Sequence, residues 1–171
     1  MLCGPRMTSA TLITAAPALL GLGIALQLAL ARFLSPRVKG VLALLCALPA
    51  LVSVLALLPA VQDGGAVEAQ LLPWDGPLRL VLRADALSVL FAAMGTGIGS
   101  AVLLYSIGYM AEDRAATRFY AIMLAFIGGL VCLVESANLF LVYFSWELVG
   151  LCSFGLVGFW YRRPEAVAGA R

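Results

Sequence analysis

Histidine is absent from this 171-residue chain and lysine occurs once, at position 39. The commonest metal ligand is therefore missing, and the four cysteines, Cys3, Cys46, Cys132 and Cys152, show no C-x-x-C spacing to replace it. They read as small apolar side chains, which argues against a metal site or a redox role in this chain. Charge is scarce as well: Asp, Glu, Lys and Arg make up 12% of the residues and the net charge is +2. The basic residues are scattered between apolar runs and form no stripe, which excludes a nucleic-acid partner. The chain is instead 63% hydrophobic, against roughly 45 to 50% in soluble domains. Such a composition predicts an all-α fold, a polytopic helix bundle whose solvent is the lipid bilayer.

Five apolar runs of spanning length follow one another: Thr8 to Ala31, Gly40 to Val61, Ala86 to Met110, Ala115 to Val134 and Asn138 to Trp160. The first resembles a signal peptide at Ala29-Leu30-Ala31, but its apolar core of about 20 residues exceeds the usual 7 to 15. Pro49 predicts a kink in the second. The basic turn between these two helices places Lys39 in a loop. The chain thus divides into 1–61 (two helices), 62–84 (a polar extracytoplasmic loop), 85–161 (three helices) and 162–171 (a cytoplasmic tail). Within the loop, the alternation of Leu78 to Arg83 predicts a small β-hairpin with Ala66 to Leu72, turning at Trp74-Asp75-Gly76. Asp85 stands where a helix N-cap would. In the third helix Ser88, Ala92, Gly95, Gly99 and Ser106 recur at helical spacing, a small-residue face for a close neighbour. Glu135 to Asn138 allow only a tight reversal, so the last two helices form an antiparallel pair, and Glu135 sits at the membrane edge where water solvates it.

One carboxylate, Glu147, lies near the middle of the last run. At 1.5 Å per residue it is roughly 15 Å from either end, the midplane of a hydrocarbon core about 30 Å thick. A charge there costs about 2.5 to 3.5 kcal/mol on insertion scales, and such residues face a bundle interior or a watery path. As an ionisable group it can handle protons; as a neutral acid it can be structural glue between helices. Phe140, Tyr143, Phe144, Gly150, Leu151 and Phe154 share its face. A passive membrane anchor and a quinone-binding module near Tyr143 remain alternatives.

Five spans put the chain ends on opposite sides. One set of flanking segments holds Arg32, Arg37, Lys39, Arg114, Arg118, Arg162, Arg163 and Arg171, the other Arg6, Arg79 and Arg83. The richer set is cytoplasmic by the positive-inside rule, leaving the N-terminus outside.

Read in order, Asp85-x-Leu87-Ser88, Tyr105-Ser106-x-Gly108-Tyr109-Met110, Arg118-Phe119-Tyr120, Asn138-Leu139, Trp146-Glu147-Leu148-Val149-Gly150-Leu151 and Gly158-Phe159-Trp160 carry a resemblance. The region from Val81 to Arg171 resembles the N-terminal part of the large antiporter-like membrane subunit of respiratory complex I, chain 5. That family is similar in turn to the large subunits of Mrp-type cation/proton antiporters and of membrane-bound hydrogenases. The resemblance implies a proton-translocating subunit of an NADH-quinone oxidoreductase in the inner membrane of a prokaryote. It also implies membrane partner subunits, with NADH, flavin, iron-sulfur clusters and quinone in the partners and no cofactor here. The translocated ion is a proton, with sodium the alternative. Glu147 matches the family's key helix-five glutamate, whose lysine partner belongs to later helices. The chain is therefore expected to be the N-terminal piece of a longer subunit.

Overall fold

The computed structural model describes residues 4–71 and 80–160. Along the chain run α1 (Gly4–Ala29), α2 (Pro36–Leu55), α3 (Leu58–Val61), β1 (Val67–Gln70), β2 (Val81–Ala84), α4 (Ala86–Tyr109), α5 (Ala116–Val134) and α6 (Leu139–Val157). Five stretches are long and apolar enough to cross a membrane, with α2 and α3 sharing one of them. A helix closes its backbone hydrogen bonds within itself, which is what lets an uncharged run of this length leave water. The polar tail expected at 162–171 and the turn expected at Trp74-Asp75-Gly76 lie outside the described residues.

The second span starts earlier than the hydropathy suggests. Pro36, whose fixed φ suits the first helical position, opens α2 after the extended Ser35. Lys39 is consequently not in a loop but in the first turn of α2, 6% exposed. Its carbonyl accepts a 2.6 Å hydrogen bond from the Gln27 amide nitrogen of α1, which ties the two helices at this end. Pro49 is accommodated within α2, which continues to Leu55.

Helix α5 is the centre of the bundle, packed on α1, α2, α4 and α6. Its Tyr120, Leu124, Ile127 and Val131 are buried. The small-residue face of α4 does what its spacing predicts. Ser88, Ala92, Gly99 and Ser106 are buried there with Thr96 and Ser100, and a Cβ on Gly99 would come within 2.5 Å of the Ile127 side chain. At the Lys39 end, Tyr120 donates a 2.8 Å hydrogen bond to the Ser106 carbonyl while its ring fills the space beside Gly40. A Cβ at Gly40 would stand 2.5 Å from the Tyr120 oxygen. Gly40→Ala is therefore expected to cost about 2 to 3 kcal/mol through overpacking and a disturbed buried hydrogen bond. Thermal unfolding in detergent measures it, and Tyr120→Phe, which removes the obstructing oxygen, should recover part of the loss. Equal melting of parent and Gly40→Ala would mean that α2 and α5 are not in this contact.

At the opposite end the two strands pair antiparallel in the register Val67↔Ala84 to Gln70↔Val81, so the expected hairpin forms. Arg83 and Glu68, cross-strand partners, make an exposed 3.1 Å ion pair. The free edge of β2 is covered by the α5–α6 turn. Arg83 N–H donates to the Glu135 carbonyl at 2.6 Å, Ala137 N–H donates to the Val81 carbonyl at 3.0 Å, and Leu82 bridges Ser136. This seam corrects the expectation for Glu135. The residue is 1% exposed, closed in beneath the hairpin instead of being solvated at the membrane edge.

Candidate functional site

Most of the singled-out motif residues are used by the fold itself. Asp85 and Ser88 form a reciprocal capping box at the start of α4: the Asp85 side chain accepts from Ser88 N–H at 2.8 Å, and Ser88 Oγ accepts from Asp85 N–H at 2.7 Å. The Ser88 amide, and after it the Ser88 hydroxyl donating to Asp85 Oδ1 at 2.9 Å, hold the Asp85 carboxyl below its usual range. Asn138 caps α6 with a one-way bond, accepting from Leu141 N–H at 2.8 Å. At the Lys39 end, Arg118 donates to the Phe159 carbonyl at 2.6 Å, with its guanidinium 4.6 Å above the Phe159 ring. Trp160 donates its indole N–H to Asp113 at 3.3 Å and meets Tyr109 edge-on. These contacts tie the turn after α6 to the start of α5 and the end of α4.

Glu147 is different, because nothing in the bundle uses it. It lies mid-helix in α6 on the face turned away from α5, and it is exposed. Only Leu141, Ser145 and Cys152 of α6 are buried, on the opposite side. Among the described residues no hydrogen bond or ion pair reaches the Glu147 carboxylate. Its neighbours Phe140, Tyr143, Phe144, Leu151 and Phe154 are 47 to 68% exposed, and Gly150 has open space where a Cβ would stand. The sequence thus locates the acid along the helix correctly but puts it toward an interior, whereas the five helices leave it outward. α6 is apolar on every side, so its composition does not reveal which face packs.

Behind α6, a cavity of about 480 Å³ opens between α1, α5 and the hairpin, lined by Pro17, Leu20, Gly128, Cys132 and Phe144 among others and almost wholly apolar. Sequence reasoning put Glu135, one helical turn beyond Cys132, in water and so missed it as a candidate. The available signal was an acid inside a four-residue reversal between two membrane helices, a place with little room for water.

Fold and site together define a multi-pass membrane protein with a mid-helix carboxylate that has no partner among the described residues. Residues 75–120 match the family described as NADH-ubiquinone oxidoreductase (complex I), chain 5 N-terminus, and residues 136–170 match the family described as NADH:quinone oxidoreductase/Mrp antiporter, transmembrane. Both matches fall in the N-terminal part of antiporter-like membrane subunits, which is the part that this chain resembles. It is similar to NADH-quinone oxidoreductase subunit L of Mycobacterium tuberculosis, 42% identical over 90 residues, which cover 53% of this chain and 14% of the relative. NAD(P)H-quinone oxidoreductase chain 5 of Synechocystis is 39% identical over 134 residues, 76% of this chain and 20% of the relative. Na(+)/H(+) antiporter subunit A1 of Staphylococcus haemolyticus is 39% identical over 119 residues, 68% and 15% respectively. The chain thus spans only 14 to 20% of the length of these relatives.

Proposed function

We propose that this chain is part of a proton-translocating membrane subunit of a complex I type NADH-quinone oxidoreductase, with Glu147 as its proton-handling group. The reading rests on one observation: Glu147 is a membrane-embedded acid to which the bundle gives no structural employment, although the neighbouring motif residues cap or clamp helices. A lone carboxylate facing lipid at the midplane is costly. Its face is therefore covered in the working protein by further helices of a longer subunit, one of which brings a basic side chain. Partner subunits carry NADH oxidation, flavin, iron-sulfur clusters and quinone reduction. An Mrp-type antiporter subunit, exchanging sodium for protons, is the second reading, supported by the similarity to the Staphylococcus protein. Proton release per electron pair in membranes carrying Glu147→Gln, at matched subunit abundance, tests the first reading, and pumping equal to the parent's overturns it.

The assembly lies in a prokaryotic plasma membrane with the hairpin outside, as the bias of basic residues supports. In a background free of other cysteines, Ala66→Cys should react with an impermeant maleimide from the outside and Glu112→Cys only after the membrane is opened. Reaction of both from one side would refute this orientation.

A further inference from the structure

Glu135 closes α5 at the hairpin end, and both of its carboxylate oxygens are buried without a hydrogen-bond partner among the described residues. A buried carboxylate that served as glue would be bonded to something. This one is not. Its main chain is engaged at both groups, the carbonyl accepting from Arg83 N–H and the N–H donating to the Val131 carbonyl, while Ala137 N–H donates to the Val81 carbonyl beside it. We propose that Glu135 is a second proton-binding site of this chain, holding its proton as a neutral carboxylic acid beneath the hairpin and exchanging it with water through the seam between β2 and the α5–α6 turn.

Among the described side chains, the surroundings favour the neutral form. On α5 the nearest titratable group is the Cys132 thiol, a turn earlier. From the hairpin, the Arg83 guanidinium is drawn to Glu68 at 3.1 Å, in the open. At the start of α4, Asp85 is occupied by its capping box, and at the start of α6 stands the uncharged Asn138. α1 carries no titratable side chain from Ser9 to Ala29. An ionised carboxylate with no bonded partner in such a place would be expensive, and the group protonates instead. Burial pushes the Glu135 carboxyl up to about 8. The cavity at Cys132 is too apolar to hold a chain of waters, so proton traffic must use the hairpin side. Few bonds hold that seam, and segments of that kind open locally at low cost.

The proposal deepens the proton-handling reading yet does not stand or fall with Glu147. Dicyclohexylcarbodiimide, which attacks protonated carboxyls in apolar surroundings, is the probe, with mass spectrometry assigning the modified residue in native membranes. Modification at Glu135 should be about tenfold faster at pH 7 than at pH 9, following the protonated fraction. It should persist in Glu147→Gln, where loss of pumping would be scored separately. Absence of modification at Glu135, or a midpoint near the ordinary value of 4.5, overturns the proposal. Protection by sodium at constant pH overturns it in favour of a cation site. The parent alone supplies these outcomes, so the test does not depend on a Glu135 variant folding.

Discussion

Proton release per electron pair should fall at least about tenfold in Glu147→Gln, with assembly unaffected. Glutamine keeps the size and hydrogen-bonding capacity of glutamate but cannot ionise. Because α6 turns this face away from the bundle, the substitution disturbs no packing among the described residues. Moving one charge through 100 mV is worth about 2.3 kcal/mol, and a basic side chain that approaches and withdraws from the carboxylate supplies a Coulomb change of that order. Glu147→Asp keeps the titrating group with a shorter reach and should retain part of the pumping. Glu112, exposed in the turn between α4 and α5, is the proper control, and Glu112→Gln should pump normally. If all three variants pump alike, Glu147 is not the coupling acid.

Stability should fall as the pH rises through the window set by Glu135. Its carboxyl is pushed up by burial from an ordinary 4.5 to about 8 in the folded chain. Below the lower value both folded and unfolded chains hold the proton and the stability is fully present. Between the two, only the folded chain holds it, and each pH unit removes about 1.4 kcal/mol until the folded carboxyl also ionises. The cumulative loss approaches about 5 kcal/mol. Glu135→Gln, a neutral mimic of the protonated acid, should lose this dependence and outlast the parent above about pH 8. Unfolding in mixed micelles across about pH 5 to 9 measures it; a parent as flat as the variant would show that Glu135 titrates like a solvated acid. Asp85, held below its usual range, acts in the other direction, its contribution being lost only as pH falls below the ordinary carboxylate range.

The spans, the caps and the hairpin were legible because each is a local property. Uncharged runs mark the helices, Asp85 and Asn138 are side chains that bond the backbone three residues on, and the alternation up to Arg83 marks a strand. Lys39 was misplaced because hydropathy begins a helix where charges stop, whereas Pro36 begins it by geometry. The burial of Glu135 was invisible for another reason. It is produced by Arg83, 52 positions earlier in the chain, meeting the turn across the bundle end (135 minus 83). The outward face of Glu147 could not be read from a helix with no polar side, and it follows only once α5 is seen to occupy the other face.

The seam between β2 and the α5–α6 turn also bears on how the chain enters the membrane. Residues 81–84 are delivered to one side of the bilayer before α4, α5 and α6 are inserted. Glu135 and Ala137 can bond Arg83 and Val81 only if their turn is delivered to that same side. An α5–α6 pair inserted upside down would carry its turn across the bilayer, more than a helix length from its strand, and leave the β2 edge bare. The three-residue contact therefore acts as a parity check on biosynthesis, accepting only chains that have crossed an even number of times between the hairpin and the turn.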